Sequence, residues 1–402
     1  MSKANNKEIA NVFYYPGPRE KKLRVEVSNT LPAIDRHASD WDRLALEAPQ
    51  RLPTLSCAWV TSYIENLLLP GETWHCIFAF DDERLVGLLP VVVTPHRLIG
   101  LSRPRLRTPH NKHSFSVDFL TAQNYESYVI PSLWDALKRI HSAAYDFSLY
   151  RLPDVSPTLS VLNTRAKDYV AIKEFDGDGS YLKIESTFDQ YRRGLGHNFI
   201  RNLTKARNKL ARLPAVKAVF LGGADATDKE LALFTRVEAS GWKSAAGTAI
   251  LNSPVLVSFY TALARRFSRL GWLEWHFLQT EDRVMAAQLA VRMKRTLVIL
   301  KIGYDEEFAS CSPGNMLFER TIERAYMLND IDEINCLTDM AWHDNWEMSK
   351  RPHYNLWIYP KRPLSILIGA FGRRTKLSLR RLPGVFPAFR RLRGLMKGNN
   401  DD

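Results

Sequence analysis

Runs of apolar residues predict the same α/β unit twice along the chain. Residues 74–93 show two β-rich runs joined by a short acidic turn, and residues 275–291 repeat that plan about 200 positions later. An amphipathic helical pattern precedes each pair of runs, at 56–69 and at 253–270. A repeat of this length predicts a duplicated domain and not a solenoid.

The second copy has the clearer pattern. Its hairpin is followed by a third predicted strand at 296–304 and by a helix over 313–328, with Ser312 at the N-cap and proline at the first helical position. A buried-type strand over 331–337 comes next. The order helix, strand, strand, strand, helix, strand predicts a mixed α/β fold with an antiparallel hairpin and one crossover helix.

A strongly basic segment, residues 187–212, separates the two copies. Asp189 is its one acidic residue, and Gly194 and Gly196 are expected to divide it into two helices. Its seven cations are Arg192, Arg193, Arg201, Lys205, Arg207, Lys209 and Arg212. Either a solvated helix face or a binding surface accounts for this pattern.

Composition excludes several classes of protein. The chain has 402 residues, of which 45% are hydrophobic and 25% charged, so disordered and collagen-like proteins are excluded. None of the four cysteines has CxxC spacing, which argues against a disulfide scaffold and a structural zinc site. The polar N-terminus and the lack of a long apolar run predict a cytoplasmic protein. The basic residues near the C-terminus, described next, place it on the inner face of the cytoplasmic membrane as a peripheral protein.

The net charge of +13 is concentrated at one end. Residues 361–402 hold eleven Lys and Arg against Asp401 and Asp402, so this segment supplies +9 of the total. Its cations interleave with Leu, Phe and Met, which predicts that residues 363–402 form an amphipathic segment on an anionic membrane surface. Nucleic acid is not expected as a partner, because the apolar residues are mostly aliphatic. A solvated tail is the other interpretation.

Several segments together resemble a known family, the CelD/BcsL-type acyltransferases of the GNAT superfamily, which are akin to the FemAB peptidyltransferases. The likeness extends over residues 35–360. The resembling segments are 117–120, 196–203, 238–250, 303–314 and 339–346. The resemblance implies two tandem GNAT-like domains, at 22–180 and 181–362, with the donor bound by the second. The cationic C-terminal segment, residues 363–402, follows these domains.

The resemblance also implies the reaction, transfer of an acyl group from a CoA-type thioester to an amine of an envelope lipid or saccharide precursor. Long-chain acylation of a sphingoid base, FemAB-like aminoacyl transfer and a non-catalytic scaffold are the alternatives. Many GNAT enzymes carry a Q/R-x-x-G-x-G/A loop around the pyrophosphate, whereas residues 310–315 here read SCSPGN. Acyl-CoA, acetyl-CoA, an acyl carrier protein and aminoacyl-tRNA therefore stay open as donors.

The start of the predicted helix at Pro313 is the expected donor site. Backbone N–H groups at a helix start bind phosphate, so Ser312, Gly314 and Asn315 are the donor-binding candidates. A capped helix without a ligand would show the same residues. Backbone N–H groups of a splayed strand would stabilise the tetrahedral oxyanion.

The acceptor amine must be neutral to attack. With a pKa of about 10.4 it is neutral in about one molecule in 2,500 at pH 7, a handicap of about 4.6 kcal/mol that a general base partly relieves. Glu238, Asp339 and His343 are the candidate bases, and Tyr304 is the candidate proton donor to the leaving thiolate. Structural capping or packing is the alternative role for each.

Five further residues belong to the expected site. Trp242 and Lys243 lie in a segment that resembles a family motif; we assign Trp242 to the acceptor and Lys243 to a donor phosphate or to a pair with Glu238. Asp118 and His113, with His110 nearby, are the acceptor candidates of the first copy. His-x-x-His alone is a weak metal signal, and no metal is predicted.

Overall fold

The structure is a computed structural model that describes residues 11–18, 22–111, 115–164, 169–240 and 249–380. Within these ranges, one mixed sheet of fourteen strands runs across both halves of the chain, and two further strands form a separate hairpin. The strands are β1 (Asn11–Pro16), β2 (Lys22–Ser28), β3 (Thr73–Asp81), β4 (Arg84–Thr94), β5 (Arg97–Leu98), β6 (Leu101–Ser102), β7 (Arg105–Arg107), β8 (Leu120–Thr121), β9 (Asp146–Pro153), β10 (Tyr169–Lys183), β11 (Lys217–Gly222), β12 (Leu273–Gln279), β13 (Val284–Met293), β14 (Thr296–Tyr304), β15 (Glu333–Asn335) and β16 (Ser349–Pro360).

Helices of both halves pack against this sheet. The α-helices are α1 (Leu31–Arg36), α2 (Ala38–Glu47), α3 (Cys57–Asn66), α4 (Glu126–Ile140), α5 (Pro157–Thr164), α6 (Phe188–Gly194), α7 (His197–Leu210), α8 (Glu230–Ala239), α9 (Pro254–Arg269), α10 (Pro313–Leu328) and α11 (Gly372–Arg380). Short 3-10 turns include Glu306–Cys311 and Ala341–Trp346, and a π-helical turn spans Ser365–Phe371. None of the described helices combines the length and the apolar character that crossing a bilayer requires.

The two halves repeat one topology. Each contains an antiparallel hairpin, β3–β4 or β12–β13, and each contains a parallel pair of strands, β7 with β9 or β14 with β15. The parallel pairs are joined through α4 and α10, as parallel neighbours require a crossover connection. The duplicated mixed α/β fold predicted from the sequence is confirmed.

Equivalent helices of the two halves pack on each other. Trp59 of α3 meets Phe259 of α9 edge to face, with ring centroids 5.6 Å apart. Arg266 of α9 forms a 2.8 Å ion pair with Glu65 of α3. Buried residues of both halves therefore share one large core.

The sheet order shows how the halves join. It runs β1-β2-β3-β4-β7-β9-β16-β10-β15-β14-β13-β12-β11, with β8 paired to β4 beside this path. The last strand, β16, lies between β9 and β10 and is antiparallel to both. The proposed domain boundary between residues 180 and 181 lies within β10, and the sheet continues across it.

Local predictions in the second half agree closely with the structure. The strand at 296–304 and the helix at 313–328 have the predicted bounds, and the basic segment forms α6 and α7. The strand expected over 331–337 is shorter, at Glu333–Asn335. It ends early because Leu337 has a positive φ of 61° and its N–H donates to the side chain of Asn335 over 2.8 Å.

Candidate active site

A gap in the sheet opens between β14 and β15. The two strands pair only from Thr296–Glu333 to Val298–Asn335, whereas β14 continues to Tyr304. Across from β13, the register shifts between Leu289 and Ala290 and leaves Leu300 of β14 as a bulge. Beyond Val298, β14 therefore has no neighbouring strand on that side among the described residues.

The first turn of α10 adjoins the far end of β14. Ser312 occupies the N-cap position in the left-handed conformation, with φ 48° and ψ 52°, and its side chain forms no capping hydrogen bond. Ser312, Gly314 and Asn315 are all partly exposed. The helix start thus presents N–H groups that its own cap does not satisfy, which is the property that binds phosphate.

Tyr304 belongs to the same cluster. It is the last residue of β14, 37% exposed. A Cβ built on Gly314 would lie 3.6 Å from its Cδ1, so the tyrosine ring borders the helix start. The structure therefore brings Tyr304 together with the three donor-binding candidates.

Asp339 lies on the other side of the gap, in the segment after β15. Its carboxylate accepts a hydrogen bond from Ser180 Oγ at 2.8 Å and pairs with Lys350 Nζ at 2.9 Å. The Lys350 hydrogen bond, aided by Ser180, lowers the pKa of Asp339. This side chain is an ionised carboxylate at neutral pH and is suited to orienting an ammonium group.

His343 is held inside the turn that follows. The residue is 2% exposed, and its Nδ1 accepts the backbone N–H of Met340 at 3.2 Å. Burial lowers its pKa to about 4, against the opposing effect of Asp339. A neutral, buried imidazole with a backbone donor on Nδ1 fixes the turn; its role as a base stays a prediction.

Aromatic packing brings this turn against α10. Phe318, one turn beyond Gly314, meets Trp342 at 5.2 Å and Trp346 at 5.4 Å between ring centroids. The Ala341–Trp346 turn is thereby fixed to the first half of the helix. Asp339 and the donor-binding candidates consequently lie on opposite sides of the same gap in the sheet.

Glu238 lies beside β14, near the end of α8. A Cβ on Gly303 would come within 2.9 Å of the Glu238 Cα, so helix and strand are in close contact. The carboxylate, in a residue 2% exposed, accepts the backbone N–H of Ile250 at 3.0 Å. The pKa of the neighbouring Tyr260 is raised by burial and then by the charge of Glu238. Glu238 thus anchors the chain just after residues 241–248.

Three predicted residues lie outside the described ranges: His113, Trp242 and Lys243. Asp118 is described and is 1% exposed. Its carboxylate accepts hydrogen bonds from Gln50 at 2.9 Å, Thr158 at 2.6 Å and Ser156 at 2.5 Å. These contacts tie three segments of the first half together, and a contact of Asp118 with an acceptor stays a prediction.

The sequence did not reveal a cluster that joins the basic segment to α10. Glu319 of α10, 4% exposed, accepts two 2.8 Å hydrogen bonds from Arg207 of α7 and lies 3.4 Å from Arg192 of α6. A cavity of about 360 Å³ adjoins this cluster, with Lys217 and Arg320 among its lining residues. The many cations of residues 187–212 were the available signal, but their partner is more than a hundred positions away.

No three His, Cys, Asp or Glu side chains of the described residues are grouped as a metal site would require. All four cysteines are buried and unpaired.

Comparison with known proteins identifies the fold. Residues 197–343 match the sequence profile of an acetyltransferase (GNAT) domain. The protein has a tandem GNAT fold. No curated protein matches its sequence.

Solved structures agree with this fold at low sequence identity. FemX is 11% identical with a TM-score of 0.57, and the match covers 82% of this chain and 98% of FemX. A conserved protein of unknown function from Bacteroides thetaiotaomicron is 12% identical, TM-score 0.52, over 83% of this chain and 99% of its own. The C-terminal domain of a candidate lysylphosphatidylglycerol synthetase from Agrobacterium fabrum is 8% identical with a TM-score of 0.50, and the match covers 83% of this chain and 95% of that domain.

Proposed function

We propose that the protein is an N-acyltransferase that moves an acyl group from a CoA-type thioester to an amine of an envelope lipid or saccharide precursor. The observation that carries the proposal is the gap beside β14 inside the GNAT-matching segment, bordered by Tyr304 and the first turn of α10 on one side and by Asp339 on the other. Membership of the CelD/BcsL group is part of the proposal.

In the proposed reaction each group has one task. The N–H groups of Gly314 and Asn315 bind the donor phosphates, and backbone N–H groups of β14 beside the gap stabilise the oxyanion. The amine nitrogen bonds to the thioester carbonyl carbon, the C–S bond breaks, and Tyr304 protonates the leaving sulfur. Asp339 orients the amine, whose proton passes to a base; Glu238 and His343 are the candidates, and Lys243 and Trp242 complete the proposed site.

The acceptor class rests on two lines of support. The sequence resembles the CelD/BcsL-type acyltransferases, which are akin to the FemAB peptidyltransferases, and one structural neighbour belongs to a candidate synthetase of lysylphosphatidylglycerol, an aminoacylated lipid, which supports a lipid precursor as the acceptor. An amine-bearing envelope precursor is consistent with both. Sphingoid-base acylation and aminoacyl transfer are the competing outcomes of the test.

The test measures thiol release from acyl-CoA of several chain lengths with a panel of amines, beside acyl carrier protein and aminoacyl-tRNA as donors. We expect saturable, amine-dependent thiol release. No saturable donor binding and no turnover with any donor would favour the scaffold alternative. Mass spectrometry of lipids and saccharides from cells lacking the protein then identifies the acceptor as the species that loses its acylated form.

We also propose that residues 363–402 bind an anionic membrane surface. In the described part, Leu367 and Phe371 are each 67% exposed, beside the exposed cations Arg374 and Lys376. A chain that ends at Arg380 lacks five cations of the segment and should bind phosphatidylglycerol vesicles more weakly. Its turnover of a soluble amine should be unchanged; equal vesicle binding by both chains would refute this assignment.

A further inference from the structure

The β5–β6 hairpin has a turn with an uncommon residue. Ile99 and Gly100 connect the two strands, and both have positive φ, 49° and 75°. Two-residue hairpin turns of this kind favour Asn, Asp or Gly, because a β-branched residue is strained in the left-handed region. Ile99 is nevertheless 73% exposed, so no burial within the described chain offsets its strain.

The residues around the tip are apolar or cationic. Leu101, which follows the turn, is 50% exposed. Arg97 and Arg103 flank the hairpin, and neither has a carboxylate partner among the described residues. The Arg103 N–H donates to the His96 carbonyl at 2.8 Å and closes the hairpin base. The tip therefore projects apolar side chains between two cations.

The hairpin lies next to the C-terminal segment. The Tyr145 ring stacks on His96 with centroids 5.4 Å apart, and its hydroxyl would be 2.9 Å from a Cβ on Gly369. Leu98 of the hairpin and Ile366 and Leu377 of the segment pack against the same small core cluster. The strained tip and the exposed Leu367 and Phe371 are thus parts of neighbouring elements.

No acidic residue occurs in residues 96–107 or in 361–380. We propose that the β5–β6 hairpin and residues 363–380 form one bilayer-binding surface, in which Ile99 and Leu101 insert into the acyl boundary and the cations contact anionic head groups. The inference rests on the proposed membrane role of the C-terminal segment and adds a second element to it. We favour a bilayer over an acidic protein as the partner. The cations alone would attract either one, but the apolar side chains that project beside them can insert into the acyl boundary of a bilayer.

The test compares Ile99→Asn in the full-length chain with wild type. Asparagine suits the positive φ, so the melting temperature should stay equal or rise, while partition onto phosphatidylglycerol vesicles falls about tenfold. Met327→Asn is the matched control, since Met327 is 77% exposed on α10, and it should bind like wild type. Raised salt should weaken wild-type binding, and phosphatidylcholine vesicles should bind poorly.

Each outcome decides the matter. If Ile99→Asn binds vesicles as well as wild type does, the inference is overturned. If the chain ending at Arg380 nevertheless binds more weakly than wild type, the proposed membrane role of residues 363–402 stands without the hairpin. Leu101→Asn, outside the left-handed region, provides a second test should Ile99→Asn alter the fold. Binding requires no turnover, so a protein that binds vesicles by this surface yet releases no thiol would contradict only the acyltransferase proposal.

Discussion

At the residue scale, Lys350 pairs with two carboxylates that differ in their surroundings. Asp339 lies 2.9 Å and Asp344 lies 3.0 Å from its Nζ, and their side chains are 27% and 63% exposed. Asp339 alone also receives the Ser180 hydroxyl. The lowered pKa of Asp339 makes it a weak base but a steady counter-charge, so we expect it to act on the orientation of the amine.

Asp339→Asn should lower kcat/KM about 100-fold with little change in stability, because the charge that orients the amine is lost from a partly exposed site. Steady-state thiol release and thermal unfolding measure the two effects. Asp344→Asn removes the other partner of Lys350 and is the matched control, with near wild-type turnover. Equal losses in both variants would assign the effect to Lys350 and contradict the role of Asp339.

A second carboxylate, Glu274, concerns stability. It is 5% exposed and is held by His276 at 3.1 Å, Arg324 at 2.8 Å and Arg292 at 3.2 Å. Burial raises its pKa, but the His276 hydrogen bond and the arginine charges outweigh burial and lower the pKa to about 2. The resulting stability is present above the unfolded value of 4.5 and is lost as the pH falls towards 2.

Glu274→Gln should therefore destabilise the protein by about 3 kcal/mol at pH 7 and by much less near pH 2. Urea unfolding at the two pH values measures the difference. Asp332→Asn, in an Arg295 pair whose side chains are about half exposed, is the control and should cost less than about 1 kcal/mol. A pH-independent loss in Glu274→Gln would show that packing and not charge is responsible.

At the element scale, Gly303 of β14 and Gly314 of α10 differ in the space around them. A Cβ on Gly303 meets backbone atoms of Glu238 at 2.9 and 3.1 Å, whereas a Cβ on Gly314 meets only a side-chain carbon at 3.6 Å. The first contact requires α8 to shift. The second is an ordinary van der Waals distance.

Gly303→Ala should destabilise the protein by about 1–3 kcal/mol through this overpacking. Gly314→Ala should leave stability unchanged or slightly higher, since alanine favours the helix, while raising the donor KM because the methyl group narrows the approach to the helix start. Denaturant unfolding and donor titration separate the two effects. An unaltered donor KM in Gly314→Ala would remove this turn from the donor site.

Elements with strong local periodicity could be predicted from the sequence. The α10 helix and the β12–β13 hairpin have apolar spacings that identify them without any tertiary information. The pairing of β16 with β9 and β10 could not be predicted, because it joins strands from different halves of the chain. The same holds for the site: the residues around Pro313 are contiguous, but the Glu319–Arg207 cluster depends on a contact between residues 112 positions apart.

At the scale of the whole molecule, the excess positive charge and the buried histidines of lowered pKa lie in different parts of the chain. The +9 of residues 361–402 lies at one end, and the rest of the chain is nearly balanced. The folded core instead contains histidines that burial keeps neutral, with the pKa lowered to about 4 in each case. These are His75, His110, His343 and His353.

The free energy of unfolding should fall as the pH decreases from about 6.5 to 4. In this range the unfolded chain binds protons at these histidines and the folded chain does not, at a cost of about 2 kcal/mol per histidine at pH 5. His353→Gln should flatten the decline between pH 6.5 and 4 when urea unfolding is followed at intervals of pH. His197→Gln, at an exposed position at the start of α7, should reproduce the wild-type curve. A stability that stays constant down to pH 4 would show that the four imidazoles are protonated within the fold, and the buried hydrogen bond from Met340 to His343 would then have to be broken in the native state.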